Sequence, residues 1–141
     1  MQTSLQTLTK KYTLTALVLA TGLLAGCANT LTPTTAEEIV SQRAQQRVDL
    51  LLDKKYDQAY EYLTPSYRAL NSAENYRVRF GDGAKWIGPK VAKVECQNKE
   101  RCVVTVKLEV LVIARGFNTP IDSTMTETWL KEDGQWWFYQ R

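Results

Sequence analysis

Between residues 36 and 63 apolar side chains recur every three or four positions, and from Trp86 onward they recur every second one. The change of period divides the chain into a helical half and a strand half. A helix is expected to start at Thr34 or Thr35, each followed three residues later by a Glu (Glu37, Glu38), so that hydroxyl and carboxylate satisfy the first free amides. Val40, Ala44, Val48, Leu51 and Leu52 then share one arc, and Gln42, Gln45, Gln46 and Asp49 the other. Arg43 and Arg47 break this division, because at about 100° per residue they stand on the flank of the apolar arc. After an interruption at Asp53 to Lys55, Tyr56, Ala59, Tyr60 and Leu63 predict a second, short helix. Thr64-Pro65 then starts a helical turn over Ser66 to Leu70, and Ser72 with Asn75 starts another that runs to Phe80, ended by Gly81-Asp82-Gly83.

In the second half, Val91 to Cys96 and Cys102 to Arg115 are expected as strands joined by Gln97 to Arg101. Val104, Val106, Leu108, Val110 and Val112 form a core-facing row on the longer one. The opposite row (Val103, Thr105, Lys107, Glu109, Leu111, Ile113) becomes apolar at its end, which leaves room for a homodimer through the sheet. Gly116 to Pro120 turns the chain, Ile121 to Leu130 returns it, Glu132-Asp133-Gly134 turns it again, and Trp136 to Tyr139 closes as an aromatic strand. Helices followed by consecutive antiparallel strands give the α+β class, with N-terminal helices packed on a curved antiparallel sheet of about four strands.

One apolar run belongs to neither half. Leu14 to Ala25 follows Lys10 and Lys11, with no acidic residue before it, and ends in Leu24-Ala25-Gly26-Cys27. It is too short and too diluted by Thr15, Thr21 and Gly22 for a membrane helix, which needs about 20 mostly apolar residues. The order of charge, apolar run and small residues is that of a secretory presequence, and the last four residues resemble the lipobox of bacterial lipoproteins. That resemblance implies cleavage before Cys27, diacylglyceryl attachment to its thiol and acylation of the new amino group. An ordinary secretory cleavage with an incidental Cys is the alternative. The organisation is thus a signal peptide (1–26), a lipidated Cys with a polar tether broken by Pro33 (27–34), and one domain (35–141). Ala28, where Asp commonly signals retention in the inner membrane, places the anchor by the same resemblance in the outer membrane, facing the periplasm.

Charge narrows the partners. The chain has 18 Lys and Arg against 15 Asp and Glu, and two of those lysines leave with the presequence. So even a balance excludes the basic stripe of a nucleic-acid binder and leaves membrane attachment to lipid. With Cys27 consumed, Cys96 and Cys102 remain, and in an oxidising compartment they are most simply a disulfide; two buried thiols are the alternative. No metal or cofactor is expected: the chain has no His and no Cys-x-x-Cys. Gly81-Asp82-Gly83-Ala84-Lys85 lacks the spacing of a phosphate loop and reads as a turn.

A second charge out of place is Glu127, which shares parity with Ile121, Met125 and Trp129 on the apolar side of its strand. A carboxylate there must be paired, sit at a cavity mouth, or titrate. Its natural partner is Arg47. With aromatics from both halves, these charges outline a pocket between the first helix and the concave sheet face, formed by Arg47, Tyr60, Tyr76, Trp86, Glu127 and Trp129. A structural ion pair and a site for a small amphiphilic or anionic ligand are both consistent with it.

Several segments taken together resemble a known family: Arg43-Ala44-Gln45-Gln46-Arg47, the run from Tyr56 to Arg68, Trp86-Ile87-Gly88, Cys96 with Cys102, and Trp129 to Trp136. In order and spacing they look like bacterial lipoproteins with an NTF2-like domain. The resemblance implies the cystatin-like α+β cone, whose helices and bent sheet enclose a pocket. Enzymes of that superfold, such as ketosteroid isomerases and scytalone dehydratase, use pocket Asp, Tyr or His; this chain departs from them in having no His. The expected function is a non-catalytic binding or accessory lipoprotein whose partner is a small ligand or a periplasmic protein. The alternative is a small isomerase- or lyase-type enzyme with Glu127 as general base and a Tyr as hydrogen-bond donor.

Overall fold

A computed structural model describes residues 35–81, 83–116 and 118–141. The expected presequence, the lipidation site Cys27 and the tether lie outside the described residues. Among these residues, four helices precede four strands: α1 (Ala36–Leu52), α2 (Tyr56–Tyr60), α3 (Pro65–Leu70), α4 (Ala73–Arg77), β1 (Ala84–Asn98), β2 (Arg101–Val112), β3 (Ile121–Glu132) and β4 (Gln135–Tyr139). The strands form one antiparallel sheet in the order β1-β2-β3-β4, so the class is α+β.

Thr35 is the cap of α1, with both halves of the capping box formed: Glu38 N donates to Thr35 Oγ1 (3.1 Å) and Thr35 N to Glu38 Oε2 (3.0 Å). The buried stripe is Val40, Ala44, Val48 and Leu51, and Arg47 is buried with it. Each fully buried Val or Leu contributes about 1.5–3 kcal/mol of transfer free energy. The helix is tied to the sheet by polar contacts at its flanks. Gln45 accepts from Val91 N (2.9 Å) and donates to the Pro89 carbonyl (3.1 Å), while Arg43 Nε donates to the Trp136 carbonyl (2.9 Å). Thr64 and Ser72 cap α3 and α4 by accepting from Tyr67 N and Asn75 N.

Several expected boundaries move. The second helix stops at Tyr60 because Leu63 forms a bridge to Phe138, where Phe138 N donates to the Tyr62 carbonyl and Thr64 N to the Phe138 carbonyl. The helix expected to reach Phe80 ends at Arg77. The first strand begins at Ala84 instead of Val91, since Gly88-Pro89 is a bulge within it: Gly88 has φ +54° and the register with β2 shifts between Ile87 and Lys90. The hairpin connection shrinks to Lys99 and Glu100, with the Asn98 side chain accepting from Glu100 N (2.8 Å). The second strand ends at Val112 instead of Arg115. Asp133 and Gly134, both at positive φ, make the tight β3–β4 turn.

Cys96 and Cys102 stand directly across the β1–β2 ladder with their sulfur atoms at bonding distance and Cα atoms 3.8 Å apart, consistent with the expected disulfide. The core row of β2 is buried through Cys102, Val104, Val106 and Leu108 and becomes half-buried at Val110 and Val112. The closed core therefore occupies the hairpin end of the sheet. Among the described residues, no helix is long and apolar enough to cross a membrane.

Candidate functional site

The two charges that break their own patterns meet. Arg47, on the buried face of α1, and Glu127, on the inward face of β3, are each 4 % exposed and form an ion pair between Nη1 and Oε1. The second terminal nitrogen of Arg47 and the second oxygen of Glu127 are drawn into the same cluster. Arg47 Nη2 donates to the Tyr76 hydroxyl oxygen (3.1 Å) and Trp129 Nε1 donates to Glu127 Oε2 (2.9 Å). The guanidinium lies 3.6 Å from the centroid of the Phe138 ring, a cation–π contact in a desolvated position. Arg47 Nε is the one orphan of the group, with no partner among the described residues.

The elements that aim these side chains are set locally. Tyr76 is brought over Arg47 by the Ser72-capped turn of α4 and is flanked by the rings of Tyr60 (centroids 5.9 Å apart) and Phe80 (5.0 Å). Tyr60 does not reach the charges: its hydroxyl donates to the Asn71 carbonyl (2.7 Å). Trp129 faces Cys102 across the ladder, and Phe138 packs on it at 6.2 Å. Burial pushes the Tyr76 phenol above its ordinary range, opposed by the nearby Arg47 guanidinium. Burial likewise lowers Arg43, whose guanidinium stacks over Tyr62 (5.0 Å) and Trp137 (5.6 Å).

This arrangement corrects the picture of a ligand pocket walled by these residues. Arg47, Tyr60, Tyr76, Glu127 and Trp129 are all buried and in contact, so they fill the space between α1 and the sheet. Trp86 does not join them. It is half-buried and lines an open cleft of about 520 Å³ at the C-terminal end of α1. Leu51, Tyr56 and Phe80 lie beside it, with Tyr56 and Phe80 stacked at 4.9 Å, and the rim carries Ile113, Arg79 and Lys85. Sequence reasoning missed Phe138 as the face beneath Arg47, although the alternation of Trp136 and Phe138 in β4 signals it. It also missed the cleft, whose walls come from four separate segments.

The solution structure of a SEC-C motif containing protein from Rhodopseudomonas palustris is similar in fold, with a TM-score of 0.53 at 17 % identity over 70 % of this chain and 73 % of that one. No protein-family model and no curated relative matches the chain.

Proposed function

We propose that this chain is a non-catalytic binding module of the bacterial cell envelope, held by lipid at Cys27 to the outer membrane, with an NTF2-like domain facing the periplasm. The observation that carries the non-catalytic reading is the state of Glu127. Both of its oxygens hold donors, Arg47 Nη1 and Trp129 Nε1, in a residue 4 % exposed. A general base needs hydrogen-bond reach to a substrate proton, and this carboxylate is turned entirely toward the protein. The same geometry counts against Glu127 as the base of an isomerase- or lyase-type reaction. Helices on the four-stranded sheet and the bulges along β1, which bend a strand, support the cone. The anchor rests on Leu24-Ala25-Gly26-Cys27 and the charged, apolar run before it.

The test is a mass spectrum of the protein extracted from membranes. An acylated Cys27 at the mature terminus is expected, and Cys27→Ser should leave the protein unprocessed or soluble. An unmodified terminus elsewhere removes the anchor. Turnover of any substrate that disappears in a folded Glu127→Gln variant removes the non-catalytic reading.

A further inference from the structure

We infer that the open cleft at the C-terminal end of α1 is a binding site for a single-chain amphiphile with an anionic head, taken up as a free monomer. The inference rests on the binding-module reading and names the ligand class. The cleft measures about 520 Å³, within the size range of small-molecule sites, which runs from about 300 to 1,000 Å³. Its inner surface is apolar: Leu51 from α1, Tyr56 from α2, Phe80 from the segment after α4 and Trp86 from β1. The apolar surface continues outward through Leu52 (41 % exposed) and Ile113 (63 % exposed), both of which line the cleft.

Charge supplies the second half of the argument. The rim carries Lys54, Arg79 and Lys85, and no Asp or Glu is among the described residues lining the cleft. Neither Arg79 nor Lys85 has a carboxylate partner among the described residues: Arg79 contacts only the Tyr67 ring (5.7 Å), and Lys85 makes no such bond. An apolar slot with unneutralised positive charge at its lip complements an alkyl chain ending in a carboxylate or phosphate. A larger groove of about 690 Å³ over the sheet does not select in this way, because it mixes Lys90 and Lys107 with Glu109 and Asp122.

The experiment titrates the full-length chain carrying Cys27→Ser with dodecyl phosphate below its micelle concentration, following tryptophan fluorescence. Saturable one-to-one binding is expected, with the signal assigned to the cleft by its loss in Trp86→Phe. Dodecyl maltoside and inorganic phosphate should each bind at least ~10-fold more weakly. The double variant Arg79→Glu, Lys85→Glu should weaken dodecyl phosphate by a similar factor without moving Tm, because both side chains are exposed. Ile113→Asp provides an independent exposed variant with the same expectation. Four results would overturn the inference: no saturable binding, equal binding of the neutral amphiphile, equal binding of inorganic phosphate, or binding only to anionic vesicles. A dimer by sedimentation that dodecyl phosphate leaves intact and that Ile113→Asp dissociates would assign the cleft to a second copy and overturn it too. Failure here leaves the lipid anchor and the inert Glu127 standing, since those are read by mass spectrum and by turnover.

Discussion

The two ends of the α1–sheet interface hold similar materials and use them in opposite ways. At the hairpin end, a cation, a carboxylate and four aromatic rings close on one another until Arg47 and Glu127 are each 4 % exposed. At the far end, Tyr56, Phe80 and Trp86 stay half-buried around an open cleft beside Arg79 and Lys85. The difference is desolvation. Taking an ion from water into the interior costs several kcal/mol, so a buried charge persists only when a partner and hydrogen bonds offset that cost. A charge at a wet lip needs no partner and keeps its field for a ligand. Pattern-breaking charge alone therefore does not identify a binding site; its state of pairing decides.

The sharpest way to break this comparison is at the closed end. Glu127→Ala leaves the Arg47 guanidinium buried and unpaired and should cost about 3–5 kcal/mol in chemical denaturation. Replacing both partners by apolar residues, Arg47→Met with Glu127→Leu, should recover most of that loss. If the single substitution costs little, the pair is not what holds α1 to β3.

Next in size is the Cys96–Cys102 link, which closes a loop of only five intervening residues. Reduction should lower stability by about 2 kcal/mol in the chain-entropy account, lowering Tm without abolishing folding. An unchanged Tm would show that the ladder around Cys102 supports itself.

A smaller effect is expected at Tyr76, whose hydroxyl accepts from Arg47. Tyr76→Phe should cost about 1.5 kcal/mol, the lower range for a hydrogen bond to a charged group. Its pH signature is distinct. Burial raises the Tyr76 pKa in the folded protein, so above about pH 10 the unfolded chain releases this proton while the folded chain keeps it. The unfolded state then binds fewer protons, and stability falls as pH rises from there through the folded value. Wild type should lose stability above pH ~10 more steeply than Tyr76→Phe, measured by urea titration at each pH. Parallel curves would mean that the phenol is solvated in the folded state.

The smallest stability effect belongs to the open end. Leu52→Ser should change stability by less than about 0.5 kcal/mol, as surface substitutions do, while lowering amphiphile affinity. A large loss of stability there would mean that the cleft is part of the core.

Much of the fold was legible because local rules and burial agree. The Thr35–Glu38 box, the Val40, Ala44, Val48 and Leu51 stripe, and the alternation along β2 each point to the element that forms. Gly88-Pro89 was misleading because it breaks a strand when read locally, whereas the ladder to β2 and the contact from Gln45 carry β1 through it as a bulge. The parity of Glu127 and the off-pattern position of Arg47 were visible one element at a time. That they meet, that Tyr76, Trp129 and Phe138 complete their shell, and that Trp86 lines a different cavity were decided by tertiary packing. Periodicity determines which face of an element turns inward; which partners that face meets, and whether they close into a core or leave a cleft, depends on register and crossing of segments up to 93 residues apart in sequence.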